Sequence, residues 1–401
     1  TSVGRYGMAQ MFQGCQTNNN KTTRNYTVGK LQLGDVGNHG CYAMFWSANT
    51  GGNTDASKIA TIDTLVINSV GDSACYQMFY NCSFLATIPS HLAGNSAKSC
   101  YQEMFNACAL LTSVPQLPAP TAEENCYYKM FNGCSVLPTT PDLPATILAP
   151  NCYAYMFNGC KAITAAPELN ALQVPAAAYN YMFNGCTALK AAPNLPATKL
   201  ADNCYAYMFN GCSVMDSVME TLPAAYLANN CYQNMFSSTA ITTAPVLVAS
   251  RFEDKESNAV DNCYNAMFSG CSKLNTIKTY MDNFGEGNQT TNWVSGVPAT
   301  GNFFCASSLP REYGASRIPQ TDADGCRWTL NPLIRMVFNP NGGTWDGEDN
   351  SNRSFSPPLT SLPATQKPNC IFLRWDTLAN GQGNYRFDWN NPLEGDYTYY
   401  A

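Results

Sequence analysis

Of the chain's 401 residues only 12% are charged, the net charge is −6, and there are 2 histidines. That balance, with no basic run, excludes nucleic acid as a partner, and no apolar run is long enough to span a bilayer. The length is ample for two domains.

A Met-Phe pair recurs nearly from end to end, with its methionine at Met11, Met44, Met78, Met104, Met130, Met156, Met182, Met208, Met235 and Met267. From Met78 to Met208 every step is 26 residues, and the flanking steps are 33, 34, 27 and 32. A fixed period in the twenties, in units too small to bury their own apolar face, predicts a stacked solenoid. No leader precedes the first copy, so the chain reads as processed or trimmed from something longer.

One unit reads CYAYMFNGC at 152–160. With its first cysteine as position 0, the Cys, Tyr, Met and Phe at 0, +1, +4 and +5 form one apolar stripe at helical spacing. This predicts a two-turn helix. Asparagine just ahead (Asn125, Asn151, Asn203, Asn230, Asn262) suits a helix N-cap, and glycine at +7 (Gly133, Gly159, Gly185, Gly211, Gly270) suits a left-handed helix end. So short a helix is marginal alone and must be held by stacking. After the second cysteine come spaced apolar residues: Leu85 and Ile88, Leu111 and Val114, Ile163 and Ala166, Leu274 and Ile277. They predict a short strand, usually closed by a proline (Pro89, Pro115, Pro141, Pro167, Pro193). Each repeat then reads strand, turn, helix, turn, with strands stacked in parallel at about 4.8 Å.

The recurring phrase MFNGC-x-x-L-x-x-x-P-x-L-P resembles the BspA-like class of leucine-rich repeats, common on the surface of gut and oral Bacteroidetes, over residues 1–331. The resemblance implies an α/β solenoid: a right-handed leucine-rich-repeat array with a parallel β-sheet on one face and short helices on the other. It also implies attachment to host matrix proteins and other cells. Asn-, Thr- and Gly-rich inserts in the first two intervals and a charged insert at 251–259 depart from the pattern. Past Cys271 the period fades, and about 272–331 looks like the irregular terminal cap of such arrays, with 328–330 as a last edge strand. From 332 to 401 the chain reads VFNPNGGTW, a Pro-rich middle, KPNCIFLRWD and GDYTYYA. Strands are expected at 337–338, 371–375 and 397–400, with a turn at 341–343. This second domain resembles the Listeria–Bacteroides repeat, a small β-rich, β-grasp-like module of surface proteins.

Nineteen cysteines would ordinarily suggest a disulfide scaffold. The two in one repeat lie eight residues apart, about 12 Å along a helix and beyond disulfide reach. They fall instead into two columns, one through Cys100, Cys126, Cys152 and Cys204, the other through Cys108, Cys134, Cys160, Cys186 and Cys212. Ala178 interrupts the first and Thr239 the second, so small size reads as the requirement. A reduced, buried ladder, inter-repeat disulfides and zinc all remain open, although only His39 and His91 exist to complete a zinc site.

No catalytic constellation, metal site or cofactor motif emerges. His39 and His91 read as turn residues, Glu123-Glu124 and Glu253-Asp254 as solvated surface, and 322–324 as a loop with calcium as the alternative. Tyrosine is in excess, at 23 residues. The +1 column (Tyr101, Tyr127, Tyr153, Tyr179, Tyr205) lies on the buried stripe. Tyr155, Tyr181 and Tyr207, at +3 in consecutive repeats, fall off it and are expected on the outer face, either as rigid binding anchors or as packing between helices. The sheet face offers Thr112, Ser113, Thr164, Lys190, Asp216 and Asn275, which favour a flat contact. These features predict a non-enzymatic, secreted or cell-surface binding protein that contacts a protein or glycan through the repeats, and the BspA-like resemblance implies that its role is adhesion. A membrane would be reached only through an anchor outside this chain. The alternative is a structural spacer or fibre component of a cell surface or phage tail. Four Asp-Ser/Thr sites, at Thr64, Ser73, Ser217 and Thr377, resemble the short O-glycosylation signal of Bacteroidetes.

Overall fold

The computed structural model describes residues 2–11, 26–46, 59–88, 90–306, 308–319, 328–332, 336–339, 353–355 and 397–400. Among the described residues there is no helix. Each unit expected to be helical is a ribbon of overlapping turns. In the unit at 151–160, the N–H groups of Cys152, Ala154, Met156, Asn158 and Cys160 donate to carbonyls three residues back, at 3.0–3.4 Å. The alternate N–H groups, of Asn151, Tyr153, Tyr155, Phe157 and Gly159, point sideways. They donate to Ala176, Ala178, Asn180, Met182 and Asn184 of the next repeat, at 2.8–3.0 Å. The even-numbered carbonyls in turn accept from the preceding repeat, so every N–H and C=O from Cys152 to Asn158 is paired.

A lone two-turn helix leaves four N–H and four C=O groups unmet. The ribbon instead gives half of its bonds to its neighbour, and a constant repeat length renews them at every step. The geometry requires a left-handed residue at every fourth place: φ is 56° at Asn151, 57° at Tyr155 and 72° at Gly159. That conformation costs an ordinary L-residue about 1–2 kcal/mol, and asparagine and glycine tolerate it best. The asparagines and glycines that resembled helix caps are therefore the −1 and +7 members of this series. A Cβ on Gly159 would stand 3.9 Å from its neighbour Gly133, an ordinary contact, so backbone conformation selects glycine there, not space.

A four-residue period sends 0, +1, +4, +5 and +8 inward. Cys152, Met156, Phe157 and Cys160 are 0% exposed and Tyr153 is 1%. Phenylalanines at +5 stack from Phe45 to Phe268 with centroids 5.1–5.9 Å apart. Tyrosines at +1 stack from Tyr101 to Tyr264 at 5.4–5.9 Å. Aligned on their Met-Phe pairs, the two earlier repeats carry Cys41 and Cys75 at +1, which moves Tyr42 and Tyr76 to +2.

The strands are β1 (Tyr26–Val36), β2 (Ile59–Val70), β3 (Ser90–His91), β4 (Thr121–Ala122), β5 (Ile147–Leu148), β6 (Gln173–Val174) and β7 (Lys199–Leu200). There follow β8 (Thr221–Leu222), β9 (Val246–Leu247), β10 (Thr276–Thr279), β11 (Asn302–Cys305) and β12 (Thr329–Pro332). All pair in parallel, as β1-β2-β3, β4-β5, β6-β7 and β12-β11-β10-β9-β8, which leaves β12 as the expected edge. Of the apolar residues after the second cysteine, Leu85, Ile88, Leu111, Ile163, Leu274 and Ile277 are core at 0% exposed, whereas Val114 and Ala166 are half-buried against it. Of those segments, only the one after Cys271 forms a named strand, β10. In the central repeats, prolines such as Pro115, Pro118, Pro120, Pro193 and Pro196 remove donors, and regular pairing is confined to two residues just before the next ribbon. His39 does occupy a turn, at φ 57°. His91 does not, since it ends β3 and pairs with Val66.

Toward the C-terminus, β13 (Met336–Asn339) lies between antiparallel β14 (Arg353–Phe355) and parallel β15 (Tyr397–Tyr400). The strands expected at 337–338 and 397–400 fall in β13 and β15, whereas β14 was not anticipated. The strand expected at 371–375, the turn at 341–343, the loop at 322–324 and Thr377 lie outside the described residues.

Candidate binding face

The four-residue period turns +2, +3, +6 and +7 away from the core stripe. At +3 the chain places Gln77, Glu103, Lys129, Tyr155, Tyr181 and Tyr207 in successive repeats, all at positive φ. Gln77 donates through Nε2 to Glu103 Oε2 at 2.8 Å. Lys129 Nζ stands 5.0 Å from the ring centroid of Tyr128 and 5.3 Å from that of Tyr155. Tyr128 meets Tyr155 edge-on at 5.9 Å. Tyr155, Tyr181 and Tyr207 then stack face to face at 4.6 and 4.4 Å, closer than the buried aromatic columns.

The sequence-predicted trio is thus brought together, off the core and half-buried. Both faces of Tyr181 are covered by its neighbours, so the ladder presents ring edges and hydroxyls instead of open faces. Burial, then the phenols of Tyr207 and Tyr155, push the Tyr181 hydroxyl up to about 12. Ala154 and Ala206, the +2 neighbours of Tyr155 and Tyr207, are 1% exposed, whereas Tyr128 at +2 is half-buried. The tyrosines therefore combine lateral packing with an outward edge.

Two features of this face were missed by sequence reasoning. At +6, Asn106, Asn132, Asn158, Asn184 and Asn210 form a ladder in which each Nδ2 donates to the Oδ1 of the preceding repeat, at 2.9, 2.6, 2.6 and 2.7 Å. The signal was asparagine at five places separated by four 26-residue steps. The outward aromatics also extend beyond the trio. Tyr6, His39, Tyr42 and Tyr76 form a run with centroids 5.0, 6.2 and 5.3 Å apart, and Trp46 meets Tyr80 at 6.3 Å. On the strand side, Thr112, Thr164, Lys190, Asp216 and Asn275 are exposed and Ser113 is half-buried, while Ile147 (68% exposed) and Leu172 (62%) add exposed apolar residues at other places.

The described cysteines are all buried and unbridged. At +8 each thiol has a fixed acceptor: Cys108, Cys134, Cys160, Cys186 and Cys212 donate to the +5 phenylalanine carbonyl of the preceding repeat, at 3.1–3.2 Å. Thr239, in the same column, also donates its hydroxyl to a +5 carbonyl, although to that of its own repeat, Phe236 O, at 2.9 Å. The +8 site therefore takes a small donor, not merely a small residue. Ala178, in the other column, has no donor to offer. Burial pushes the Cys134 and Cys152 thiols up to about 12. Among the described residues no group of three or more His, Cys, Asp or Glu side chains is placed to hold a metal.

Of the candidate glycosylation sites, Ser217 is exposed, whereas Thr64, in β2, and Ser73, at φ 52°, are half-buried. The Thr64 hydroxyl donates to Asp63 O at 2.7 Å.

Protein-family models give no match to the sequence, and curated proteins give none. Among solved structures, a leucine-rich repeat protein from Bacteroides ovatus is similar at 14% identity and a TM-score of 0.39, over 79% of this chain and 88% of that one.

Proposed function

We propose that this solenoid is the binding surface of a non-enzymatic, extracellular adhesion protein, whose protein or glycan ligand lies along several repeats. The reading includes a BspA-like leucine-rich-repeat array over 1–331 and a Listeria–Bacteroides-type module over 332–401. The observation that carries it is the Tyr155–Tyr181–Tyr207 ladder. Stacked rings on a backbone bonded at every step are already ordered, so little freedom remains to be lost on binding. With the ring faces occupied, contact runs through edges and hydroxyls, beside a row of side-chain amides, which suits a polar, extended ligand. The spacer reading draws support from a different feature, the unbroken backbone ladder, which makes a stiff rod whatever its surface does.

Binding of the full chain to arrayed matrix proteins and glycans tests the proposal. Changing Tyr155, Tyr181 and Tyr207 together to Ala should weaken binding by about 1–3 kcal/mol for each true anchor while the solenoid stays folded. Changing them to Phe keeps the stack and removes only the hydroxyls, so loss in both variants assigns the contact to those groups. A folded triple-Ala protein that binds as before would move the contact elsewhere. No binding by the unmodified protein would favour the spacer.

A further inference from the structure

From Tyr101 to Tyr264 the +1 position is a stacked tyrosine; in the two preceding repeats it is Cys41 and Cys75. Cys41 N–H donates to Ala74 O and Ala43 N–H to Tyr76 O, each at 2.8 Å, which sets Cys41 directly beside Cys75 across the ladder. Neighbouring places in such a ladder are about 4.8 Å apart, inside the Cα separation a disulfide accepts. Both side chains are 0% exposed. The two thiols are close enough for each to perturb the other's ionisation, whereas those at +8 are turned to backbone carbonyls.

We propose that Cys41 and Cys75 are a disulfide-forming pair that staples the second repeat to the third. The staple would close over the 33 residues between them, an interval that includes one of the Asn-, Thr- and Gly-rich inserts. Cys41 is the member of the pair nearer the N-terminal end of the stack, so an oxidant entering from that end meets its thiolate first. On its N-terminal side, the +1 place of the first repeat holds only a half-buried Met8. Local opening of that end would admit a small disulfide such as oxidised glutathione. The Cys41 thiolate attacks one sulfur and expels a glutathione thiolate, leaving a mixed disulfide. Cys75 gives up its proton and attacks the Cys41 sulfur, expelling the second glutathione. One S–S bond forms in the protein and one breaks in the donor. The protein loses two electrons and two protons, which the two glutathione molecules carry away as thiols.

The test uses the full chain, reduced, exchanged into oxidised glutathione while folded, then unfolded in iodoacetamide and digested without reductant. Mass spectrometry should find one linked peptide pair, Cys41 to Cys75, lighter by two hydrogens than the separate peptides, with the other described cysteines alkylated. The thermal midpoint should rise on oxidation, and Cys75→Ser should instead retain glutathione at Cys41 with no rise. Recovery of Cys41 and Cys75 as alkylated thiols in the unmodified protein would overturn the proposal. So would links within the other columns, such as Cys126 to Cys152 or Cys134 to Cys160, in place of this one.

Discussion

A side-chain amide can accept and donate at once, and the asparagines at +6 do both. Asn158 Nδ2 donates to Asn132 Oδ1 at 2.6 Å while its own Oδ1 accepts from Asn184 Nδ2 at 2.6 Å. Asn210 ends the row, donating to Asn184 with Ser237 in the next +6 place. Replacing an interior member breaks two bonds and strands a donor on one side and an acceptor on the other; replacing the last breaks one. Stranded groups cost about 1–3 kcal/mol when fully buried, and these are half-buried, so water recovers part of it. Asn158→Ala should therefore destabilise by about 1–2 kcal/mol and Asn210→Ala by roughly half as much, read from urea midpoints at equal slope. Equal losses at the two positions would mean that the amides act singly, not as a ladder.

The repeating element is a turn ribbon that resembles a helix in its sequence pattern alone. Over nine residues, periods of 3.6 and 4 both keep 0, +1, +4 and +5 on one side, so the buried stripe was legible although the backbone was not. Tyr155, Tyr181 and Tyr207 were found for the same reason, since +3 faces away under either period. The discriminating sign was asparagine at −1 and glycine at +7, eight residues apart, both tolerant of a left-handed backbone. Taken as the two ends of one helix, they hid a series with a third member at +3. Counting from cysteine instead of the Met-Phe pair concealed Cys41 and Cys75 at +1 and the outward Tyr42 and Tyr76. The strands were displaced because prolines govern where the N–H groups needed for pairing remain. Far-UV circular dichroism decides between the two elements: the ribbon predicts no helical double minimum from the folded protein. A spectrum with helix at ten units of nine residues would restore the original reading.

Along the whole molecule the same titratable groups recur at each step, so their linkage to folding adds up. Burial raises the thiols of Cys100, Cys134, Cys152, Cys212 and Cys231 from 9.0 to about 12. The buried tyrosines from Tyr101 to Tyr264 are likewise held above their ordinary 10.0. A group whose pKa is raised by folding contributes its full stability while both states remain protonated, and loses it as pH climbs from the unfolded value toward the folded one. Here that window opens near pH 9.0 and extends to about 12 for the thiols named, and the tyrosines prolong it. Each such group adds up to about 1.4 kcal/mol per pH unit, so several together make a steep fall. The urea midpoint of reduced protein should be nearly level between about pH 6 and 8 and drop sharply above pH 9, with the phenolate absorbance of the buried +1 tyrosines appearing only as the chain unfolds. Cys152→Ala supplies the internal control, because Ala178 already stands in that column. This variant should fold, lose a little packing at neutral pH, and fall less steeply in alkali by the share of one thiol. A midpoint level to pH 11 in the unmodified protein would show that the thiols ionise in place, which a dry column at 0% exposure does not permit.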